Sequence, residues 1–278
     1  MSSARLVYVI DANVTAALQE DVGSGDLTAL LVPADQTAQA AVVAKESAVL
    51  AGGPWFEAVF RRLNPAVEVK WLRQDGEVMQ AGETICHVEG PARTVLTGER
   101  TALNFLQTLS AVATVTRRYV EAVRGTRAVV ADTRKTLPGL RLAQKYAVRM
   151  GGGQNHRLGL YDGILIKENH IAAAGGIGPA LQAATRVSAK VPVQIEVESL
   201  AQLGEALDAG AKLVLLDNFD LDGLREAVRI NAGRATLEAS GGITLDDLRA
   251  VAETGVDRIS VGALTKDVKA IDLSMRVA

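Results

Sequence analysis

The chain has 278 residues, 48% of them apolar, with 30 basic side chains against 32 acidic ones and a formal net charge of −2. That composition excludes a disordered polymer, and no run approaches the roughly 20 apolar residues of a membrane-spanning helix. Near-neutral charge and an aromatic share of 4% argue against a nucleic-acid binder, and the one cysteine, Cys86, excludes a disulfide framework or a Cys-rich zinc site.

The opening MSSARLVYVIDANV lacks a secretory signature, which together with the lone cysteine predicts a cytoplasmic protein. A polar helix is predicted over 12–20, followed by the turn-rich DVGSGDLT. TAQAAVVAKESAVLAG reads as one or two strands, and WFEAVFRR after Gly52-Gly53-Pro54 as a helix with proline in its first turn. VEVKWL and ETICHVEG read as strands separated by an Asp75-Gly76 turn. A long helix is predicted from Arg93 to Glu121, ended by Gly125. No order repeats in this half, which reads as an α+β domain.

From residue 126 the pattern becomes regular. Strands are predicted at 127–131, 163–166, 193–197, 212–216, 235–239 and 258–261, with helices at 176–190, 199–209, 220–231 and 244–254. Strand alternating with helix is the signature of parallel βα units. A seventh, short strand is expected near 155–160, still below the eight of a closed barrel. A doubly wound sheet would carry its glycine loop after the first strand. Here the glycine loops follow the last two, which favours an incomplete barrel.

The strands end in Asp132-Thr133-Arg134-Lys135, Lys167-Glu168-Asn169-His170, Glu196-Val197-Glu198, Asp217-Asn218, Ser240-Gly241-Gly242 and Gly262-Ala263. Barrel enzymes build their sites at such ends. Ser240, Gly241 and Gly242 precede a helix whose predicted N-cap is Thr244, so their N–H groups suit a phosphate; Gly262 repeats the feature on the next loop. A tight βα turn is the bland alternative. Residues 134–167 carry seven basic side chains and one acid, a local +6 in a protein of net −2. Such a concentration of one sign attracts a polyanion. Arg134, Lys135 and Lys167 follow strands, and His156 and Arg157 follow a glycine run; Arg141, Lys145 and Arg149 share a helical face that fits either the site or plain solvation. Glu196 and Asp217 end neighbouring strands and suit ribose hydroxyls or Mg²⁺, which prefers oxygens plus substrate phosphates; ion-pairing with the basic cluster is the structural alternative.

The run ADTRKTLPGLRLAQKYAVRMGGGQNHRLGLYDGILIKENH, with LTGERTALNFLQTLSAVAT, EDVGSGDLT, IEVES, LLDN and EASGGIT, resembles the quinolinate phosphoribosyltransferases over nearly the whole chain. The resemblance implies an N-terminal α/β sandwich over 1–112, with a tail at 268–278 packing on it, and an incomplete α/β barrel of about seven strands over 113–267. It implies transfer of phosphoribosyl from phosphoribosyl pyrophosphate to quinolinate with decarboxylation, giving nicotinate mononucleotide for de novo NAD synthesis, with Mg²⁺ as cofactor. Arg134, Lys135, His156 and Arg157 would surround the quinolinate carboxylates, Thr133 would bind substrate, and Arg100 would reach in from the partner of a homodimer. Lys135 and Lys167 would face the pyrophosphate, and Glu196 and Asp217 the ribose, directly or through Mg²⁺ and water. Ser240, Gly241, Gly242 and Gly262 would hold the 5′-phosphate. Lys135, Lys167, Glu196 and Asp217 are the expected catalytic residues; no nucleic acid or membrane partner is expected. Competing readings are a Schiff-base lyase using Lys167, a pyrophosphorylase-like paralogue with another substrate, and a non-catalytic sugar-phosphate binder.

Overall fold

A computed structural model describes residues 3–187 and 190–277. The end of the helix expected over 176–190 therefore lies partly outside the described residues. The chain divides into two compact units, Met1–Arg117 with Leu137–Gly152 and Asp267–Ala278, and Arg118–Thr136 with Gly153–Lys266.

In chain order the elements are α1 (Ser3–Asp21), a 3₁₀ turn (Ala29–Leu31), β1 (Thr37–Ala44), β2 (Ala48–Val49), α2 (Gly53–Leu63), β3 (Glu68–Trp71), β4 (Val78–Met79), β5 (Thr84–Pro91) and α3 (Ala92–Ala122). Then come β6 (Val129–Ala131), α4 (Arg141–Met150), β7 (Ile164–Ile166), α5 (Glu168–Ala174), α6 (Ile177–Val187), β8 (Val193–Val197) and α7 (Leu200–Asp208). The chain finishes with β9 (Leu213–Asp217), α8 (Leu221–Asn231), β10 (Thr236–Ser240), α9 (Leu245–Glu253), β11 (Arg258–Ser260), α10 (Ala263–Lys266) and β12 (Leu273–Val277).

The first unit holds an antiparallel sheet in the order β12-β1-β5-β3 and a separate β2-β4 pair. Alternation in TAQAAVVA buries Ala38, Ala40, Val42 and Ala44 on one face, as a half-covered antiparallel strand requires. Trp55, Phe56 and Phe60 of α2 pack into the same core as Leu103, Leu106 and Leu109 of α3. Cys86 lies in that core, where burial pushes its thiol pKa up and leaves it unreactive. Helix α1 starts nine residues earlier than the predicted 12–20 segment. Its Leu6, Val9 and Ile10 pack against the core, so tertiary burial overrides the weak helix preference of Val and Ile. The tail strand β12 pairs with β1 in the register Ala40↔Val277. Helix α4 belongs to this unit too. Its Lys145 is 1% exposed, so the solvated-face reading of Arg141, Lys145 and Arg149 fails at Lys145.

The second unit is a parallel sheet ordered β6-β11-β10-β9-β8-β7. Its terminal strands β6 and β7 do not pair with each other, and no strand forms over the expected 155–160; the pairing there is a single parallel bridge between Ala131 and Gln154, just before it. This is the incomplete barrel the sequence predicts. Ile195 and Val197 of β8 and Val214 and Leu216 of β9 are fully buried; the alternate residues Gln194, Glu196 and Asp217 occupy the opposite face. Helices α7, α8 and α9 begin at Ser199, Asp220 and Thr244, whose side chains accept the N–H of Gln202, Gly223 and Asp247. Short α5 is not among the predicted helices, and Lys167 before it is not a usual capping residue type. His170 supplies the cap instead, its Nδ1 accepting the Lys167 N–H at 3.0 Å.

Candidate active site

All expected site residues except Arg100 lie in the second unit, at the C-terminal ends of its strands or the loops after them. Along the rim, neighbouring loops touch. After β6, Thr133 Oγ1 accepts the Lys135 N–H at 3.0 Å, and the Thr265 hydroxyl donates to the Lys135 carbonyl at 2.7 Å. A Cβ on Gly262 would lie 3.1 Å from Lys135 Cδ and 3.7 Å from Thr133 Oγ1. The loops after β6 and β11 therefore meet at this glycine.

The second meeting point lies between β9 and β10, where Ser240 is in register with Asp217. Asn218 donates its N–H to the Ser240 carbonyl at 3.0 Å and its side-chain amide to Asp217 Oδ2 at 2.9 Å. Asn218 is left-handed, with φ of 58°, and a Cβ on Gly241 would sit 2.2 Å from Asn218 Oδ1. Gly241 itself has φ of 111°. Only glycine fits there, both for space and for backbone angle.

Two cations of the expected cluster behave oppositely. Lys167 Nζ donates to both oxygens of Glu196, at 3.0 and 2.9 Å, so the ion-pairing alternative holds for this pair. Arg134 has a buried Nε with no hydrogen-bond partner. Its guanidinium lies close enough to Arg157 that the two repel. Burial first, then the Arg134 charge, holds Arg157 below the usual arginine pKa, and Asp162 opposes both. Two half-buried guanidinium groups whose charges act on each other suit a group with more than one negative charge.

Sequence reasoning missed what stands behind this pair. Asp132, fully buried, accepts the His156 N–H at 2.9 Å and the Asn155 side-chain amide at 2.7 Å. Asp162 accepts the Leu158 and Gly159 N–H groups at 2.8 and 2.9 Å, shaping the turn after Arg157. His156 Nε2 meets Gln194 Oε1 at 2.8 Å, and Gln194 donates to Glu238 at 3.0 Å. The available signal was Gln194 and Glu238, polar residues in the interior of the strands VQIEV and TLEAS. Among the described residues no cluster of three or more His, Cys, Asp or Glu could hold a metal alone. Arg100 is exposed on α3 of the first unit, between Thr97, hydrogen-bonded to Asp26, and Thr101, hydrogen-bonded to Asp21.

An incomplete parallel barrel with cations, acids and glycine loops at one end of its strands defines a sugar-phosphate-handling α/β enzyme. Comparison with known proteins sharpens that class. Residues 26–110 match the N-terminal domain, and 112–276 the C-terminal domain, of the quinolinate phosphoribosyl transferase family; the chain belongs to that family. It is 44% identical over 259 residues to a probable nicotinate-nucleotide pyrophosphorylase (carboxylating) of Bacillus subtilis, covering 93% of this chain and 90% of the relative. A chloroplastic nicotinate-nucleotide pyrophosphorylase (carboxylating) of Oryza sativa is 39% identical, covering 97% and 78%. The solved nicotinate-nucleotide pyrophosphorylase of Francisella tularensis superposes with a TM-score of 0.95 at 44% identity, over 97% of this chain and 96% of that one.

Proposed function

We propose that this chain transfers the phosphoribosyl group of phosphoribosyl pyrophosphate to quinolinate, with loss of CO₂, giving nicotinate mononucleotide and pyrophosphate in de novo NAD synthesis. The carboxylating and decarboxylating names describe this one reaction in opposite directions. The observation that carries the reading is the set of cations on the loops at the barrel rim, among them Arg134, whose buried Nε has no hydrogen-bond partner, in a chain matching both family domains. A dicarboxylate supplies the negative charge that this set attracts.

No protein nucleophile is needed. The pyridine nitrogen attacks the anomeric carbon as pyrophosphate leaves, so catalysis is alignment plus stabilisation of the leaving charge. Lys135 and Lys167 are assigned to the pyrophosphate. Glu196 and Asp217 are assigned to the ribose hydroxyls, and Ser240, Gly241, Gly242 and Gly262 to the 5′-phosphate. Arg134, Lys135, His156 and Arg157 are assigned to the quinolinate subsite, and Thr133 to substrate binding beside Lys135. Once alkylated, the cationic ring accepts the electrons released as the adjacent carboxylate departs. A tight clamp on that carboxylate would stabilise the ground state and oppose its loss, so the strongest contact belongs to the carboxylate that is retained. Lys167 as a Schiff-base amine is disfavoured by its double hydrogen bond to Glu196.

Glu196 and Asp217 fit Mg²⁺: two carboxylates on adjacent strands, without a third acid to complete a protein cage, suit an ion that keeps waters and substrate phosphates. Bound there, Mg²⁺ would neutralise charge on the pyrophosphate. A homodimer is proposed because Arg100 is exposed and free of ion pairs among the described residues, on a helix braced on both sides of it. A cytoplasmic location fits the single buried, unpaired cysteine, and no described helix is long and apolar enough to cross a membrane.

The test is product analysis with quinolinate and phosphoribosyl pyrophosphate, with and without Mg²⁺. Nicotinate mononucleotide and CO₂ are expected in equal amounts, only with the metal; nicotinate replacing quinolinate, or binding without CO₂ release, overturns the reading. Mixing Arg100→Ala chains with Lys167→Ala chains is expected to restore activity at one shared site. No recovery rejects cross-subunit completion.

A further inference from the structure

Barrel interiors are usually filled by bulky apolar side chains, yet Gln194 and Glu238 lie inside the second unit, 5% and 1% exposed. Gln194 is on β8 and Glu238 on β10, with β9 between them. Their 3.0 Å hydrogen bond therefore crosses the concave face of the sheet. Arg258 of β11 donates to the same Glu238 oxygen at 3.3 Å. None of these three residues has a part in the chemistry above.

One unambiguous donor fixes the rest of the chain of bonds. The backbone N–H of Arg157 can only donate, and it lies 2.8 Å from His156 Nδ1. Nδ1 is thus the bare nitrogen, and Nε2 carries the hydrogen. That Nε2–H needs an acceptor, which Gln194 Oε1 provides at 2.8 Å. With its oxygen so engaged, the Gln194 amide must turn its NH₂ toward Glu238, an acceptor only. A reversed amide would set NH₂ against Nε2–H and oxygen against carboxylate. The other carboxylate oxygen, Oε1, is buried without a hydrogen-bond partner and sits 3.7 Å from Nε2. Asp132 grips the same segment from its other side through the His156 N–H and Asn155. Arg157 leaves this clamp beside Arg134, whose like charge would otherwise push it away.

We propose that Glu238, acting through Gln194, is a positioning residue of the dicarboxylate subsite: it keeps the Gln194 oxygen turned toward the His156 Nε2–H and so holds the backbone that delivers Arg157. This rests on the quinolinate reading for the identity of the ligand, but not for the hydrogen-bond order. His156 then serves chiefly to place Arg157, since both of its ring nitrogens are engaged within the chain.

The test pairs kinetics with a spectroscopic readout. Gln194→Leu, which cuts the link, is expected to raise the KM for quinolinate about tenfold or more while the KM for phosphoribosyl pyrophosphate stays within about twofold. Glu238→Gln keeps an acceptor for Gln194 and is expected to stay within about threefold of the parent, whereas Glu238→Leu should match Gln194→Leu. A folded Gln194→Leu protein with unchanged quinolinate KM overturns the proposal. Nitrogen NMR of the unmodified protein adds a criterion that needs no variant to fold: of the three histidines, His156 must show protonated Nε2 and bare Nδ1. The opposite tautomer overturns the proposal even if quinolinate is turned over. Failure to make nicotinate mononucleotide would instead strike the function and leave the tautomer to be judged by itself.

Discussion

Among the described residues the two compact units differ in the charges they bury: Lys145 in the first, and Asp132, Glu196 and Glu238 in the second. In the first, α3 lends hydroxyls to the backbone around β2: Thr114 accepts the Val49 N–H at 2.8 Å and Ser110 the Ala51 N–H at 3.0 Å. Around them lie Trp55, Phe56 and Phe60, all fully buried, with the Phe56 and Phe60 rings edge to face at 5.2 Å. In the second, Asp132, Gln194, Glu196 and Glu238 are buried, and Arg134 Nε and Glu238 Oε1 lack a hydrogen-bond partner, as Arg73 Nε and Ser274 Oγ do in the first. Unsatisfied buried groups cost stability. The first unit fills its core with aromatic and aliphatic side chains, and the second concentrates buried acids behind the loops that carry the expected site.

Substitutions that separate stability from turnover would break or sharpen this contrast. The largest effect is expected from Phe60→Ala, which should lower unfolding free energy in urea by about 3–5 kcal/mol. Activity per folded molecule should stay close to the parent. A loss of turnover in the folded fraction would mean that the first unit tunes the site directly.

Next come Arg134→Ala and Lys167→Ala. Losing a charge-assisted substrate contact costs about 2–5 kcal/mol, so kcat/KM for nicotinate mononucleotide formation should fall about 30- to several-thousand-fold. Their stabilities should diverge. Arg134→Ala removes a repulsive neighbour of Arg157 and an unbonded buried nitrogen, so its Tm is expected to hold or rise. Lys167→Ala strands Glu196, which is only 9% exposed, and its Tm should fall. Near-normal rates in both variants would refute the site assignment. A large fall in Tm for Arg134→Ala would erase the contrast.

The smallest effect concerns the first unit. Asp26 accepts the Thr28 and Ala29 N–H groups and the Thr97 hydroxyl, at 2.9, 3.0 and 2.9 Å. The Ala29 bond, then the Thr97 bond, holds its carboxyl below the ordinary value of 3.8. Because the folded value is depressed, the stabilisation is complete above the unfolded value and disappears as pH falls through the folded one. Asp26→Ala should cost about 0.5–1 kcal/mol at neutral pH. The gap in Tm from the parent should shrink as pH drops below 3.8; a gap independent of pH would show that the charge contributes nothing.

Local signals in the sequence predicted every strand of the barrel sheet and the loops that carry the site, since alternating burial, N-caps and glycine turns act over a few residues. Lys145 shows where that stops: its four-residue spacing with Arg141 and Arg149 marks a helical face, but only the packing of α4 buries it. Helix α5 escaped notice because its cap comes from His170 reaching back, rather than from the residue before the helix.

By itself the sequence determined the class of protein, through charge concentrated in one segment, strand-end acids and glycines, and motifs that span both family domains. Tertiary structure alone decided which polar side chains are paired: Lys167 with Glu196 across 29 residues, His156 with Gln194 across 38, and Gln194 with Glu238 across 44. The physical reason is that periodicity records which face a residue takes. Partners across a barrel depend on strand order and register, and these are set by the whole chain at once.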